Sequence, residues 1–382
     1  MLVPPIRILV VDDSLVIRKV VSDTLKKDPA FDVVGTAGDG RIALAKISLL
    51  HPDVVILDIS MPVMGGLDAL AILRKEFPGV KVIMFSTLTA RGAAETIEAL
   101  SLGAADYATK PTDRGSLALT LAAVEEELVP KIKALGGAAQ RVSPSAPQST
   151  IRPRPLPPGA HQQRIDIVAI GTSTGGPSAL AEVVPRLPAG FPVPVVIVQH
   201  MPASFTGLLA ERLSRHSPMP VHEGTDGKVL VPGQAWIAPG NFHMTVVAPV
   251  MAASGPGWRI SLNQGAPEHS CRPAVDVLFR SVAATGGAHV LGVVMTGMGM
   301  DGAIGARHIR EAGGQVIVQD EPSSVVWGMP GAVYAAGQAD GIYSLARLAS
   351  EIIRRVQLHR VTPISTTNSI NPSTTKLEVS LK

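Results

Sequence analysis

The stretch IDIVAIGTSTGG, residues 165–176, decides how the second half of this chain folds. Its apolar run, Ile165 to Ile170, is typical of a buried strand, and the glycine-flanked turn around Ser173 predicts that a helix follows. Glycine adopts backbone angles closed to other residues, and a helix N-terminus directs free N–H groups at negative charge. The turn therefore suits a nucleophilic Ser173. A phosphate-binding or purely structural turn would have the same local pattern.

Two further apolar runs in this half end in polar residues that could complete such chemistry. Val193 to Val198 precedes His200, and His289 to Met295 precedes a glycine-rich loop with Asp301. Because parallel strands end at one edge of a sheet, Ser173, His200 and Asp301 are expected to converge as hydroxyl, base and orienting carboxylate. Taken singly, the histidine is more often structural and the aspartate a turn residue. The chain order Ser, His, Asp excludes the α/β-hydrolase fold.

The first 130 residues alternate short apolar runs with amphipathic stretches. This alternation predicts five βα units in a doubly wound parallel sheet, an α/β fold of the flavodoxin-like kind, and the second half is predicted to be a second doubly wound α/β domain. The strand candidates are Ile6–Val11, Val33–Ala37, Val54–Leu57, Val80–Phe85 and Asp106–Thr109. The helical stretches lie near residues 15–27, 40–50, 66–76, 91–102 and 115–134.

Polar residues again follow the strands of this first domain. Three carboxylates on one edge would repel each other unless a cation lay among them, and Mg²⁺ takes carboxylate oxygens together with a phosphate oxygen. The pattern predicts a phosphate acceptor at Asp58, metal ligation by Asp12, Asp13 and Asp58, and phosphoryl contacts from Lys110 and from Ser86 or Thr87. A helix N-cap at Asp12-Asp13 and a solvated lysine are the ordinary alternatives.

Charge separates the chain into three parts. Residues 1–130 carry a net charge of −4, residues 131–164 carry +6, and residues 165–382 carry +1. The middle segment has six prolines, which predicts a semi-extended basic linker over 131–164. The other predicted bounds are 5–130 and 165–355 for the two domains, with a polar, disordered tail over 356–382.

Composition excludes several classes of protein. The aromatic content is 3% and there is no zinc-ligand spacing or basic recognition helix, so nucleic-acid binding is not expected. No apolar stretch approaches the roughly 20 residues of a membrane span, and the N-terminus lacks the layout of a signal peptide. The single Cys271 excludes an internal disulfide, suits a reducing cytoplasm and, as a lone thiol, is expected to be packing rather than a nucleophile.

Several motifs together resemble a known family. Val11-Asp12-Asp13-Ser14, the Asp58 motif and Lys110-Pro111 are similar to a response-regulator receiver domain. The later motifs are similar to the methylesterase domain of the CheB chemotaxis family. They are Gly171 to Gly176, Gln199 to Pro202, Cys-Arg-Pro-Ala-Val-Asp at 271–276 and Thr296 to Gly302. The matches extend over most of the chain and occur in the family's order.

The resemblance implies a phosphorylation-regulated hydrolase that removes methyl groups from glutamate methyl esters on chemoreceptors, and that deamidates receptor glutamines. It implies Ser173 as nucleophile, His200 as base and acid, Asp301 as the orienting carboxylate, and backbone N–H groups of Met298 and Ser173 as oxyanion donors. In the receiver it implies phosphorylation at Asp58 with Mg²⁺, and Ser86, Tyr107 and Lys110 as switch residues. Ser60 and Ala274 depart from the family's common Glu and Ser.

The implied partners are methyl-accepting chemoreceptors and a chemotaxis histidine kinase, with no cofactor in the esterase site, no membrane insertion and a monomeric, cytoplasmic protein. In the family the unphosphorylated receiver covers the esterase cleft. Two other functions stay open from the sequence: a receiver-regulated binding module without turnover, and a serine peptidase with a regulatory domain. Nucleotide binding at residues 171–176 has less support, because neither glycine-rich phosphate motif is present.

Overall fold

The first domain is a five-stranded parallel sheet with helices on both faces. The computed structural model describes residues 4–87, 89–110, 121, 124–139, 163–248, 257–358 and 360. The sheet order is β2-β1-β3-β4-β5, which confirms the predicted doubly wound topology. Its strands are β1 Ile6–Val11, β2 Phe31–Ala37, β3 Val54–Asp58, β4 Lys81–Thr87 and β5 Asp106–Lys110.

Local sequence signals set where the helices of this domain begin. Ser14, Asp39 and Thr89 each accept a hydrogen bond from a backbone N–H of the first helical turn. Such N-caps satisfy donors that the helix itself leaves unpaired. The helices are α1 Leu15–Leu25, α2 Gly40–Leu50, α3 Gly66–Glu76, α4 Ala90–Ser101 and α5 Val129–Ala139.

Helix α5 extends into the segment predicted as linker. Residues 131–139 are helical, and Ile132 and Leu135 are fully buried against the first sheet, so these residues pack with the first domain. The C-terminal helix likewise reaches Gln357, past the predicted end of the second domain. The rest of the predicted linker, 140–162, and of the predicted tail, 361–382, lies outside the described residues, as do 111–120 at the start of the predicted last helix.

The second domain is built on a seven-stranded parallel sheet with the order β14-β13-β12-β6-β7-β9-β8. A separate antiparallel hairpin pairs β10 His243–Val247 with β11 Arg259–Asn263. The other strands are β6 Ile167–Thr172, β7 Val195–Gln199, β8 Val221–Glu223, β9 Ala235–Ile237, β12 Val290–Val294, β13 Gln315–Gln319 and β14 Gly341–Tyr343. The helices are α6 Gly176–Val183, α7 Ala203–His216, α8 Val275–Gly286, α9 Ala303–Glu311, α10 Met329–Ala335 and α11 Leu345–Gln357.

Strand β6 lies at the point where the order of this sheet reverses. The next strand in sequence, β7, pairs on one side of it, and the much later β12 pairs on the other. In open α/β sheets the crevice beyond the strand ends at such a point is where ligands bind. The topology therefore opens a crevice directly beyond Thr172, the last residue of β6.

The two domains pack on each other through helix α4 and strand β5 of the first domain. The Tyr107 ring lies 4.7 Å from the Phe205 ring of α7, measured between centroids. Ser178 of α6 donates a hydrogen bond to the Leu100 carbonyl at 2.5 Å, and Thr174 donates to Asp106 Oδ2 at 2.7 Å. Among the described helices, none is both long and apolar enough to cross a bilayer.

Candidate active site

Ser173 lies on a sharp turn between β6 and α6. Gly175 has φ +76°, a left-handed conformation that glycine adopts without steric cost, and it closes the turn before the helix begins. The Ser173 N–H donates to the Thr296 carbonyl at 3.1 Å, which ties the turn to the end of β12. A Cβ at Gly297 would come within 2.9 Å of Ser173 Cβ, so the close approach of these two loops requires glycine there.

His200 follows β7, the strand next to β6, at the same level along the sheet as Ser173. Thr172 and Gln199 are register partners in β6 and β7, so the residues after them, Ser173 and His200, begin their loops side by side. His200 Nε2 lies 2.8 Å from Asp301 Oδ2. The structure thus brings the loops of all three predicted residues to one sheet edge and joins His200 to Asp301 directly.

The His200–Asp301 contact determines the protonation of the imidazole. Because the Asp301 carboxylate can only accept a hydrogen bond, Nε2 carries a hydrogen, and Nδ1 is the nitrogen with the lone pair when the imidazole is neutral. Burial alone would lower the pKa of His200, but hydrogen bonds to Asp301 and to Cys271 outweigh it and raise the pKa to about 9. The pKa of Asp301 is lowered: burial would raise it, but bonds from His200 and from backbone N–H groups prevail.

Asp301 is held by the first turn of α8. Oδ2 accepts the Val275 N–H at 2.7 Å, and Oδ1 accepts the N–H groups of Asp276 and Gly302 at 2.8 and 2.9 Å. Asp276 in turn accepts the Gly305 N–H of α9 at 2.6 Å. The two carboxylates therefore cap each other's helices, since Asp301 precedes α9 and Asp276 begins α8. This reciprocal capping fixes the carboxylate that orients His200.

Ser173 and His200 open into one cavity of about 510 Å³ between the domains. Its side in the second domain includes Met298 and Cys271, whose Sγ lies 3.5 Å from His200 Nδ1. Its opposite side consists of residues of the first domain, namely Asp106, Tyr107, Thr109, Glu127 and Lys131. The first domain therefore covers the edge where the predicted triad lies.

One of the two predicted oxyanion donors is already engaged in this structure. The Ser173 N–H is already donated to Thr296, so it is not free to bind a developing oxyanion in this arrangement. The N–H of Met298 has no hydrogen-bond partner among the described residues, and Met298 lines the cavity. Met298 thus stays the candidate of the two.

Sequence reasoning missed the contacts made by the loop after β11. Cys271 was expected only to pack and His269 was assigned no role, yet Cys271 contacts His200 and His269 contacts Asp276 at 2.8 Å. Neither residue directly follows an apolar strand-like run in the sequence. The available signal was the Cys-Arg-Pro-Ala-Val-Asp motif at 271–276, which supports the resemblance but says nothing of these contacts.

A second cluster of charged groups lies at the edge of the first sheet. Carboxylate oxygens of Asp12, Asp13 and Asp58 all lie within 4.8 Å of one another. Lys110 Nζ lies 2.6 Å from Asp12 and 2.7 Å from Asp58. Burial raises the pKa of Asp58 to about 6 against the opposing influence of Lys110. Converging hard oxygen ligands fit a divalent cation such as Mg²⁺.

The other predicted switch residues lie between this cluster and the second domain. Ser86 Oγ is buried and lies 2.6 Å from Thr96 Oγ1 of α4. Tyr107 is 6% exposed, with its ring between Phe205 and the ammonium of Lys131, which lies 4.8 Å from the ring centroid. Burial raises the pKa of Tyr107 well above 10, so its hydroxyl stays protonated.

Comparisons with known proteins agree with this two-domain arrangement. The CheB methylesterase family matches residues 168–352, and the response regulator receiver domain family matches residues 8–122. The protein-glutamate methylesterase/protein-glutamine glutaminase of Trichodesmium erythraeum is 49% identical over 92% of this chain and 99% of its own length. The protein of the same name from a Nocardioides species is 47% identical over 94% of this chain and 97% of its own length.

Solved structures include domains similar to each half. The CheB methylesterase catalytic domain of Thermotoga maritima is 38% identical, with a TM-score of 0.47, and the match covers 50% of this chain and 99% of that one. The response regulator domain of T. maritima CheB is 48% identical, with a TM-score of 0.31, over 34% of this chain and 95% of that one. From the near full-length relatives, this chain belongs to the protein-glutamate methylesterase/protein-glutamine glutaminase family and joins a response regulator receiver domain to a CheB methylesterase domain.

Proposed function

We propose that this chain hydrolyses glutamate methyl esters on chemoreceptors, with Ser173 as nucleophile, His200 as general base and acid, and Asp301 as the orienting carboxylate. The observation that carries the proposal is the 2.8 Å contact from His200 Nε2 to Asp301 at the rim of the cavity that Ser173 shares. Serine hydrolases use a hydroxyl together with an imidazole that a buried carboxylate orients. Here the hydroxyl and the imidazole share one cavity, and the hydrogen bond between Ser173 and His200 is part of the proposal.

The reaction is acyl transfer in two steps. His200 Nδ1 takes the Ser173 proton as Oγ attacks the ester carbonyl, and the resulting imidazolium gives that proton to the departing methoxide, which leaves as methanol. Water, deprotonated by His200, then attacks the acyl-enzyme and releases the glutamate carboxylate and Ser173. The Met298 N–H would bind the oxyanion, a contribution of about 3 kcal/mol to the transition state. A glutamine side chain would react in the same way and release ammonia.

Methanol release from purified methylated receptors tests this activity. Ser173→Ala should reduce the release to background, because it removes the hydroxyl that forms the acyl-enzyme. A binding module without turnover would release no methanol with either protein, and a serine peptidase would cleave casein instead. Ammonia release from receptors with unmodified glutamines tests deamidation separately.

We also propose that phosphorylation of Asp58 opens the cavity. The receiver residues on the cavity wall exclude a receptor helix from Ser173, so the closed arrangement in this structure is the less active one. Asp12, Asp13 and Asp58 would hold Mg²⁺, which supplies charge neutralisation and a ligand position for a phosphoryl oxygen. Lys110 and Ser86 would contact the phosphoryl group, and Tyr107 would transmit the change, because its ring touches Phe205.

Beryllofluoride with Mg²⁺, which mimics the phosphoryl group, tests this regulation. We expect it to raise methanol release from the unmodified chain. Asp58→Asn should remove the stimulation and leave the basal rate, because Asp58 lies outside the cavity that contains Ser173. An unchanged rate with beryllofluoride would contradict the gating, whatever the basal activity. The partners that follow from this proposal are chemoreceptors and a chemotaxis histidine kinase. The chain would act on them as a monomer in the cytoplasm.

A further inference from the structure

Asp301 lies between two histidines. His200 Nε2 contacts Oδ2 at 2.8 Å, and on the far side His269 Nε2 lies 3.9 Å from Oδ1. The closer partner of His269 is Asp276, whose Oδ2 accepts its Nε2–H at 2.8 Å. The oxygens of Asp276 and Asp301 and the His269 nitrogen all lie within 4.8 Å of one another. The far histidine is therefore part of the same cluster as the proposed base.

Asp276 depends on His269 for half of its hydrogen bonding. Its side chain is fully buried, Oδ1 is taken by the Gly305 N–H, and Oδ2 is taken by His269. A buried carboxylate oxygen without a donor is costly, and a second carboxylate close by adds repulsion. One of the two carboxylates would then take up a proton, as coupled carboxylate pairs do.

His269 also occupies a backbone position that disfavours it. Glu268 and Cys271 form a tight two-residue turn, with hydrogen bonds in both directions, and the central residues His269 and Ser270 have φ of +51° and +62°. Such turns favour glycine and asparagine at both positions. Non-glycine residues held at positive φ often mark functional sites, where surrounding contacts offset the strain. Here the offsetting contact is the one to Asp276.

We propose that His269 is a positioning residue for the hydrolysis proposed above: by donating to Asp276 it keeps Asp301 fully ionised and directed at His200. Without that donor, a proton shared between Asp276 and Asp301 reduces the negative charge facing His200 and loosens its orientation. The proposal rests on the proposed function for its kinetic consequence, but not for its effect on the imidazole of His200.

Few charged groups of the described residues surround both histidines. Asp276 and Asp301 face His269 from α8 and from the loop before α9, and Arg280 of α8, which binds the adjacent Glu268, also interacts with both carboxylates. His200 is faced by Asp301 and by Cys271. An altered titration of His200 in a His269 variant can therefore pass through Asp301 or through Cys271, which closes the same turn as His269, and recovery with a hydrogen-bond donor at position 269 points to Asp301.

His269→Gly removes the donor while suiting the turn, and His269→Gln restores an N–H donor at the length of Nε2. We expect His269→Gly to lower the limiting kcat for methanol release at high pH, where His200 is neutral in both proteins, about tenfold with little change in KM, as for other partners that orient a functional histidine. The NMR titration midpoint of His200 should move down by about one pH unit, because a tenfold change in an equilibrium corresponds to one pKa unit. His269→Gln should recover most of both. The control is His222→Gly, since His222 lies in β8 and its exposed ring packs on Trp236 of β9.

The outcomes separate this proposal from the proposed function. Should His269→Gly keep the wild-type kcat and leave the His200 midpoint unmoved or raised, the positioning role is wrong even though Ser173→Ala is inactive. Loss of activity with an unmoved midpoint, together with a lowered unfolding temperature, would indicate a structural role only and also overturn it. If the wild type releases no methanol, the proposed function fails, while the NMR midpoint still decides the role of His269.

Discussion

His200 has both ring nitrogens engaged, and this makes its environment unusual for a general base. Nε2 is committed to Asp301, so the proton of Ser173 has to reach Nδ1, which also lies 3.5 Å from Cys271 Sγ. Because its pKa is raised to about 9, the imidazole is mostly protonated at pH 7. In that form Nδ1–H donates to the Cys271 sulfur, so this contact occupies the nitrogen that Ser173 would use and favours the inactive, protonated imidazole.

Cys271→Ala should consequently shift the pH dependence of the reaction. Removing the sulfur removes one of the hydrogen bonds that raise the pKa of His200, so the pKa falls. Because the base acts when neutral, the rise of kcat/KM with pH should move to lower pH, and the rate at pH 7 should increase. The measurement is methanol release between pH 6 and 10. Cys271→Ser, which keeps a polar group in place, is the matched control and should shift less. A rise that stays in place or moves to higher pH would contradict this account of the thiol.

At the scale of elements, helix α5 shows how two adjacent glycines can have opposite roles. A Cβ at Gly136 would come within 2.5–2.6 Å of three side-chain atoms of Ile6 in β1, whereas a Cβ at Gly137 would have no atom within 4 Å. Glycine costs a helix interior about 1 kcal/mol relative to alanine at either position. The helix therefore needs Gly136 to approach the sheet and gains nothing from Gly137.

Gly136→Ala should thus destabilise the protein by about 1–3 kcal/mol, the usual cost of overpacking a core. Gly137→Ala should be neutral or stabilising by up to about 1 kcal/mol, since it removes only the glycine penalty. The two variants control for each other because both add one methyl group to the same helix. Denaturant unfolding of the purified chains measures the difference, and equal stabilities would mean that α5 does not pack on Ile6 as described.

The same helix shows where sequence reasoning stops. The spacing of apolar residues in the first domain predicted its strands and helices. The position of Ser173, His200 and Asp301 after apolar runs predicted that they lie on one edge, because parallel strands end at the same edge of a sheet. The helical pattern fades at Gly136-Gly137, so the linker was predicted to begin too early. His269 and Cys271 lie several residues beyond the end of β11, so strand-end reasoning does not reach them. Their contacts depend on how the turn over 268–271 folds back. Nothing in a single sequence indicates the contact between Asp106 and Thr174, which are 68 positions apart.

At the scale of the whole molecule, a short series of contacts connects the proposed switch residue Tyr107 to the proposed nucleophile Ser173. Thr174, next to Ser173, donates to Asp106, and Asp106 precedes Tyr107 in β5. Lys131 of α5 binds Asp106 and the Tyr107 carbonyl, so a movement of Tyr107 would change all of these contacts together. A shift of 1.4 kcal/mol in the balance between closed and open forms changes their ratio about tenfold, so one buried hydrogen bond is enough to regulate the rate.

Asp106→Ala should therefore weaken the closed form. The lost bond joins a carboxylate to a buried hydroxyl, a contact worth about 1.5–3 kcal/mol, and Thr174 would be left without its partner whenever the domains close. We expect basal methanol release without phosphodonor to rise about tenfold or more, and the further stimulation by beryllofluoride with Mg²⁺ to shrink accordingly. Asp23→Ala on the exposed face of α1, where Asp23 pairs with Lys19, removes the same charge from the same domain and should change neither rate. If Asp106→Ala keeps the low basal rate while its receiver still responds fully to beryllofluoride, the Thr174 contact does not hold the cavity closed.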